Sequence, residues 1–133
     1  MREPLFLTLA EVVDVHTDQI KRYGGQAGVR DFGLLESALA QPEATFGGEW
    51  LHRNLFEMAA AYAYHLCQNH PFFDGNKRTA LACALVFLEL NRVRVQDPKG
   101  LFKGAMLRVA SGKMEKKELA DLFRKLSPRK KPE

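Results

Sequence analysis

The segment His70–Arg78, HPFFDGNKR, concentrates residues that could do chemistry. The imidazole of His70, with an ordinary pKa of about 6.5, can take a proton from an attacking hydroxyl near neutral pH. The carboxylate of Asp74 is the kind of ligand that Mg²⁺ takes together with substrate phosphate oxygens and water. Lys77 and Arg78 add two positive charges suited to phosphate. The segment therefore predicts a site for a magnesium-bound nucleotide.

The backbone of this segment strengthens the prediction, because a helix begins inside it. Pro71 lacks a backbone donor and cannot lie in mid-helix. The first amides of the next helix have no acceptor within the helix, and such amides bind phosphate. Gly75 would let a phosphate approach the backbone without a Cβ in the way. The predicted cofactor-binding residues are Gly75, Asn76, Lys77 and Arg78.

The chemistry indicated is phosphoryl or nucleotidyl transfer, in which catalysis is mostly positioning and charge neutralisation. The catalytic candidates are His70, Lys77 and Arg78, and the metal-binding candidate is Asp74. Each residue taken alone also has a structural interpretation. Asp74 could cap the helix, His70 could be a structural histidine, and the two cations could face solvent.

Helical periodicity runs through nearly the whole chain and predicts six helices. Thr8 and Glu11 form a capping-box pattern, and Asp31 is a candidate cap for a short helix that ends before Pro42. Glu43–Glu49 is predicted as a loop or a small hairpin, and Val93–Val95 as a brief extended segment. The remaining helices are predicted at 51–69, at 75–91 as the buried centre, from an Asp97 cap to about Gly112, and through Leu119–Leu126.

Composition excludes several classes of protein. The chain has 133 residues, 46% of them hydrophobic and 27% charged, which is typical of one soluble globular domain. The uncharged run Thr79–Leu88 is shorter than the roughly 20 residues of a membrane span, and the N-terminus lacks a secretory signal pattern. Cys67 and Cys83 form no CxxC pattern and are predicted to be reduced and buried. The predicted location is the cytoplasm.

Positive charge is concentrated at the C-terminal end. The net charge is +4, and residues 103–133 hold 10 of the 20 basic residues but only 4 of the 16 acidic ones. The sequence predicts a domain over residues 1–126 and a basic, disordered tail over 127–133. A non-catalytic binding protein that uses this basic end remains an alternative function, although no aromatic residues interleave the charges.

The segment HPFFDGNKR also resembles the signature H-x-F-x-[DE]-G-N-x-R of the Fic/Doc superfamily. It is most similar to the Doc branch, the death-on-curing toxins, which carry Lys at the position of Lys77 where Fic proteins usually carry a second Gly. The resemblance extends over residues 6–127 and includes RYGGQAGVRD at Arg22–Asp31. It implies an all-α, compact single-domain bundle of about six helices.

For function, the resemblance implies that His70 is the general base and that Asp74 holds Mg²⁺. The amides of Gly75 and Asn76, with Arg78, would hold the phosphates of ATP. Phe72 is expected to be a core plug, and the resemblance assigns no role to Phe73. The implied activity is that of a toxin kinase that transfers the γ-phosphate of ATP to elongation factor Tu. A Phd-like antitoxin would restrain it, and operator DNA would be bound only through that antitoxin.

Two departures from the Fic pattern bear on the main alternative, a Fic-type AMP-transferase. Such enzymes usually carry another Arg three residues after the motif Arg, where this chain has Leu81. They also often carry an inhibitory (S/T)xxxE(G/N) segment, and the nearest match, Ser111–Lys116, ends in Lys. Both departures favour a Doc-type kinase regulated by another chain.

Overall fold

The computed structural model describes residues 3–128, which form six helices and one small hairpin. The helices are α1 Leu9–Tyr23, α2 Phe32–Ala40, α3 Leu55–Asn69, α4 Asn76–Leu90, α5 Leu101–Ala110 and α6 Lys116–Lys125. The hairpin pairs β1 (Thr45–Phe46) with β2 (Glu49–Trp50) in antiparallel register, Thr45 opposite Trp50. The predicted all-α class and the count of six helices are confirmed. The predicted tail falls mostly on residues 129–133, which lie outside the described part of the chain.

Two helix starts agree with the sequence signals. Thr8 and Glu11 form the capping box of α1: the Glu11 amide donates to Thr8 Oγ1 at 3.1 Å, and the Thr8 amide to Glu11 Oε1 at 2.9 Å. Asp31 caps α2 by accepting from the Leu34 amide at 2.9 Å. These bonds form between residues three apart, so the local sequence is enough to specify them.

Two predicted helices begin later in the structure. Helix α3 begins four residues later than predicted, after Asn54, whose side chain accepts from the Glu57 amide. Helix α5 begins at Leu101 rather than just after Asp97, because a turn intervenes and the Asp97 carboxylate reaches forward to the amides of Leu101 and Phe102. Val93–Val95, predicted as a brief extended segment, belongs to no helix or strand.

The helix at the centre of the bundle is α3, not α4 as predicted. Helix α3 packs against α2, α4, α5 and α6, whereas α4 packs against α1, α3 and α5. The run Ala59–Ala61 together with Ala63 is fully buried, and small side chains let neighbouring helices approach on several sides. Helix α4 leaves Val86 and Leu90 about 40% exposed. The nearly uniform apolar composition of α4 therefore predicted more burial than the helix has.

The expectations about the two cysteines and about Phe72 are confirmed in the core. Cys67 and Cys83 are free and buried, as predicted. Phe72 is fully buried, as expected for a plug that holds the motif loop. Within residues 3–128, none of the helices combines the length and the apolar character that crossing a membrane would need.

Candidate active site

The motif segment forms the loop between α3 and α4, and its backbone is unusual at the first residue. His70 ends α3 in the left-handed conformation, with φ 52° and ψ 53°. A Cβ makes that conformation costly because it lies too close to the following carbonyl oxygen, and non-glycine residues in it cluster at functional sites. This backbone conformation directs the chain from α3 into Pro71.

A second segment of the chain pairs with this loop. Val29 and Phe72 form an isolated antiparallel bridge, and the Phe73 amide donates to the Gly28 carbonyl at 3.3 Å. The amides of Arg30 and Asp31 both donate to the Pro71 carbonyl, at 2.7 and 3.1 Å. The motif loop is thus anchored along its length by backbone hydrogen bonds to the loop between α1 and α2.

The side chain of Arg30 fixes the start of the motif loop. Its Nε and Nη2 donate to the His70 carbonyl oxygen at 2.9 and 2.6 Å, and Nη2 also reaches the Asn69 carbonyl at 3.3 Å. These carbonyls end α3, where a cation is favoured by the helix dipole. Arg30 therefore stabilises the backbone that presents His70.

Asn76 closes the loop through its side chain. Its Oδ1 accepts from the Phe72 amide at 3.0 Å, and its Nδ2 donates to the Phe72 carbonyl at 2.9 Å. Both polar atoms of this buried amide are thereby engaged within the protein. The backbone amide is then the donor of Asn76 that is left for a phosphate to accept from.

Asp74 does not cap α4, so the capping interpretation of this residue is wrong. The N-cap position is Gly75, and no side chain caps it. One carboxylate oxygen of Asp74, Oδ2, instead accepts from the Gln26 amide at 2.6 Å, in the loop after α1. The other oxygen, Oδ1, has no hydrogen bond within residues 3–128. A single free carboxylate oxygen in a cavity with cations and free amides would suit Mg²⁺, which takes few protein ligands and completes its shell with phosphate and water.

Gly75 is required for packing against α1, in addition to leaving room for a phosphate to approach the backbone. Its φ of 74° disfavours other residues, and a Cβ built there would lie 3.2 Å from Ile20 Cδ1 and 3.4 Å from Arg78 Nη2. The missing side chain thus faces α1 and the Arg78 guanidinium, a constraint that the sequence prediction did not include. No acceptor within residues 3–128 takes the amides of Gly75, Asn76 or Lys77. These donors remain available to an anion.

The two cations of the motif differ in their surroundings. Lys77 is exposed. Arg78 is half-buried, donates from Nη2 to the Gly24 carbonyl at 3.0 Å, and lies over the Tyr23 ring at 5.4 Å. One guanidinium nitrogen therefore bonds to the end of α1, and its other donors remain available to a phosphate.

One cavity of about 390 Å³ brings the predicted residues together. Its lining includes all six candidates, His70, Asp74, Gly75, Asn76, Lys77 and Arg78, beside Cys67, Gln68, Phe73 and Ala110. Burial raises the pKa of the Cys67 thiol, against a smaller lowering by Lys77, so this thiol is protonated at neutral pH. With this thiol protonated, the side chains that could accept a proton in the cavity include the imidazole of His70 and the carboxylate of Asp74.

Two other features limit what the site can be. A larger cavity of about 640 Å³ lies elsewhere, against Leu5, Trp50, Phe56 and Leu90, and is mainly apolar, so size does not identify the site. Among residues 3–128, no three His, Cys, Asp or Glu side chains group as metal ligands do. A metal at the motif would have to share its coordination with bound phosphate.

The sequence analysis did not single out three residues that support the site: Arg30, Gln26 and the buried His16. Arg30 and Gln26 lie in RYGGQAGVRD, which resembles the Fic/Doc superfamily but carries no local signal of contact with the motif. His16 follows Val12 and Val13 at helical spacing on one face of α1. Its signal was chemical: an imidazole on an otherwise apolar helix face needs a hydrogen-bond partner when it is buried.

Known proteins are similar to this chain over much of its length. The model of the Fic/DOC family matches residues 6–88. The chain is 36% identical over 116 residues to "Protein kinase doc" of Escherichia phage P1, covering 87% of this chain and 90% of that protein. It is 45% identical over 82 residues to "Toxin Doc" of Mycolicibacterium smegmatis, covering 62% of this chain. The second match spans 63% of the length of that relative.

Proposed function

The chain belongs to the Fic/DOC family, and from this premise we propose that it is a Doc-type toxin that transfers the γ-phosphate of ATP to a serine or threonine hydroxyl of a protein. The observation that carries the proposal is the shared cavity, where one imidazole, one free carboxylate oxygen, two cations and unpaired helix amides meet. The name of the phage relative, a protein kinase, supports the same choice.

Each group of the cavity has a role in this reaction. The amides of Gly75 and Asn76, with the guanidinium of Arg78, hold phosphate oxygens and orient the nucleotide. Asp74 offers its free Oδ1 to the metal, which when bound offsets the negative charge of the phosphates. Lys77 adds positive charge near the phosphate of the departing ADP, which gains negative charge during transfer.

His70 acts on the acceptor. Its imidazole takes the proton as the substrate hydroxyl oxygen bonds to the γ-phosphorus, and the bond from that phosphorus to the departing ADP breaks. Arg30 holds the backbone of His70 while this happens, because its guanidinium is bound to the carbonyl oxygen of the same residue. The imidazole thus approaches the hydroxyl from a fixed backbone.

Two observations favour phosphate transfer over AMP transfer. Leu81, which stands at the position of the second Fic arginine, is partly buried against the hydrophobic core and carries no charge. Lys77 occupies space that glycine would leave open for the far end of a triphosphate. The nucleotide would then enter reversed, with the γ-phosphate facing His70. AMP transfer by the same residues is the second candidate function.

The expected target is elongation factor Tu, and the expected regulator is a Phd-like antitoxin that alone would contact operator DNA. Both rest on the family resemblance. The segment of this chain that best matches the inhibitory pattern is Ser111–Lys116, which ends at the start of α6. Its glutamate, Glu115, is not among the residues that line the cavity. Regulation by a second protein is therefore part of the proposal, and cytoplasmic action follows from such a target.

The test is direct transfer. Purified protein is incubated with elongation factor Tu, Mg²⁺ and ATP, and the product is read by intact-mass and peptide mass spectrometry. Gain of phosphate supports the proposal, whereas gain of AMP establishes the second candidate. Expression of the wild type beside His70→Ala in a bacterial host gives the matched toxicity control.

A separate deletion tests the non-catalytic alternative, in which the basic end does the binding. Removal of residues 127–133 should leave a kinase active. Loss of toxicity together with loss of salt-dependent binding would instead support electrostatic binding to a nucleic acid.

A further inference from the structure

A buried imidazole lies directly beneath the motif loop and has no part in the proposed transfer. His16, on α1, is only 2% exposed. Its Nε2 lies 2.8 Å from the carbonyl oxygen of Asp74, across 58 residues of sequence. A carbonyl oxygen only accepts, so in this geometry Nε2 carries the proton and donates it.

The ring of His16 also makes an apolar contact with the loop. It stacks on Phe72 with ring centroids 3.9 Å apart and planes inclined by 7°. Its edge lies beside Gly75, where a built Cβ would be 3.9 Å from His16 Cδ2. One imidazole therefore touches three residues of the motif: the plug Phe72, the metal candidate Asp74 and the helix-start glycine.

Asp74 depends on contacts of this kind because its own helix does not hold it. Its carboxylate makes no capping bond to α4. Within residues 3–128, the carboxylate accepts from the Gln26 amide and the backbone carbonyl of Asp74 accepts from His16. The first contact holds the side chain and the second holds the backbone. With both in place, Asp74 is held at the cavity that Gly75 and Asn76 also line.

We infer that His16 is a positioning residue that orients Asp74 and the phosphate-binding start of α4 for the magnesium-bound nucleotide. The inference rests on the proposed function for the identity of that ligand. His16 does not contact the cavity itself, so it acts through Asp74 and Gly75 rather than on the nucleotide.

Two substitutions separate the functions of the ring. His16→Phe keeps an aromatic ring for the stack on Phe72 but removes the donor to Asp74. His16→Gln removes the stack but keeps an N–H that can reach the carbonyl. Val12→Ala is the matched control, since Val12 is fully buried one turn earlier on α1 and has no hydrogen bond to the motif loop.

The first measurement is hydrogen exchange of the Gln26 amide, whose partner is the Asp74 carboxylate. If His16 positions Asp74, this amide should exchange about tenfold faster in His16→Phe than in the wild type, and at nearly the wild-type rate in His16→Gln and Val12→Ala. This readout needs neither nucleotide nor activity. It therefore judges the inference even if the proposed function fails.

The second measurement is calorimetric affinity for ATP with Mg²⁺ and with EDTA. The Mg²⁺-dependent gain in affinity should fall about tenfold in His16→Phe and stay within about threefold of the wild type in His16→Gln. Val12→Ala should lower the melting temperature without changing the affinity.

The outcomes are distinguishable. A wild type with no Mg²⁺-dependent affinity for ATP would overturn the proposed function and leave the exchange result to decide the role of His16. Wild-type exchange of Gln26 in a folded His16→Phe would overturn the inference. Equal loss in His16→Gln and His16→Phe would also overturn it, because the hydrogen bond to Asp74 would then not be the contact that matters.

Discussion

Two guanidinium nitrogens of Arg30 donate hydrogen bonds to the backbone carbonyl oxygen of His70, 40 residues away in sequence. His70 is there in a left-handed conformation that a single isolated residue would seldom keep. Strain of this kind persists only when surrounding contacts over-determine it. The proposed base is therefore positioned from outside its own helix.

Loss of these hydrogen bonds should reduce the rate of phosphate transfer more than the stability of the fold. Arg30→Ala loses both hydrogen bonds to His70, whereas Arg30→Lys keeps one charged donor but not the planar fork. We expect transfer to fall in the order wild type, Lys, Ala, and the free energy of unfolding to fall by about 1 kcal/mol in the Ala form. Single-turnover rates and urea unfolding measure the two effects. Equal transfer by all three forms would remove Arg30 from the positioning of His70.

His70 itself can be tested with two substitutions that differ in backbone cost. His70→Ala should lower transfer by about 10²–10⁴-fold and leave ATP binding near normal, because the imidazole acts on the acceptor hydroxyl. His70→Gly should be equally inactive but more stable than His70→Ala, by about 1 kcal/mol or less, since glycine adopts a φ of 52° without strain. Unchanged turnover in either form would contradict the role of general base.

Asp74→Asn should weaken Mg²⁺-dependent nucleotide binding while the fold remains intact. The amide keeps an oxygen to accept from Gln26 but loses the negative charge that attracts the metal. Calorimetry with and without Mg²⁺ gives the affinity, and thermal unfolding gives the stability. A large loss of stability with unchanged affinity would mean that Asp74 serves only to hold the loop after α1.

Lys77 should determine which phosphate is transferred. Lys77→Gly is expected to reduce phosphate transfer and to permit slow AMP transfer, because space opens for the reversed nucleotide while Leu81 supplies no second arginine. Lys77→Met removes the charge but keeps much of the bulk, so it should lose phosphate transfer without gaining AMP transfer. Mass spectrometry of the product distinguishes these results. AMP transfer by the Met form as fast as by the Gly form would exclude space-filling as the cause.

Stability should fall with acid through His65, which lies outside the motif. Burial lowers the pKa of His65 to about 4, helped by the positive charge of Lys116, whose Nζ is 3.1 Å from His65 Nε2. The unfolded chain, with an ordinary histidine pKa of about 6.5, takes up the proton first. The free energy of unfolding should therefore decrease as the pH falls from about 6.5 to about 4.

His65→Gln isolates this contribution, since its amide oxygen can still accept from Lys116 while every carboxylate of the chain stays the same. Unfolding curves at about pH 7.5, 6, 5 and 4 cover the range between the unfolded and folded pKa values of the histidine. Over this range the Gln form should lose less stability than the wild type. Parallel curves for the two proteins would show that His65 does not carry the dependence.

Much of the helical layout could be read directly from the sequence. The capping box at Thr8 and Glu11 and the cap at Asp31 depend on bonds between residues three apart, and the sequence analysis identified both. The starts of α3 and α5 were predicted too early. Asn54 caps α3 through the Glu57 amide, and α5 begins only after a turn that the Asp97 carboxylate holds through the Leu101 and Phe102 amides.

The sequence by itself determined which residue types meet at the motif, because HPFFDGNKR places an imidazole, a carboxylate and two cations around a single helix start. Only the tertiary structure decided what each one touches. Asp74 bonds to Gln26 rather than to its own helix, and Arg30 and His16 support the loop from segments 40 and 58 residues away. The physical reason is range: caps and helical stripes follow from neighbours along the chain, whereas contacts at those separations exist only after α1, α3 and α4 have packed together.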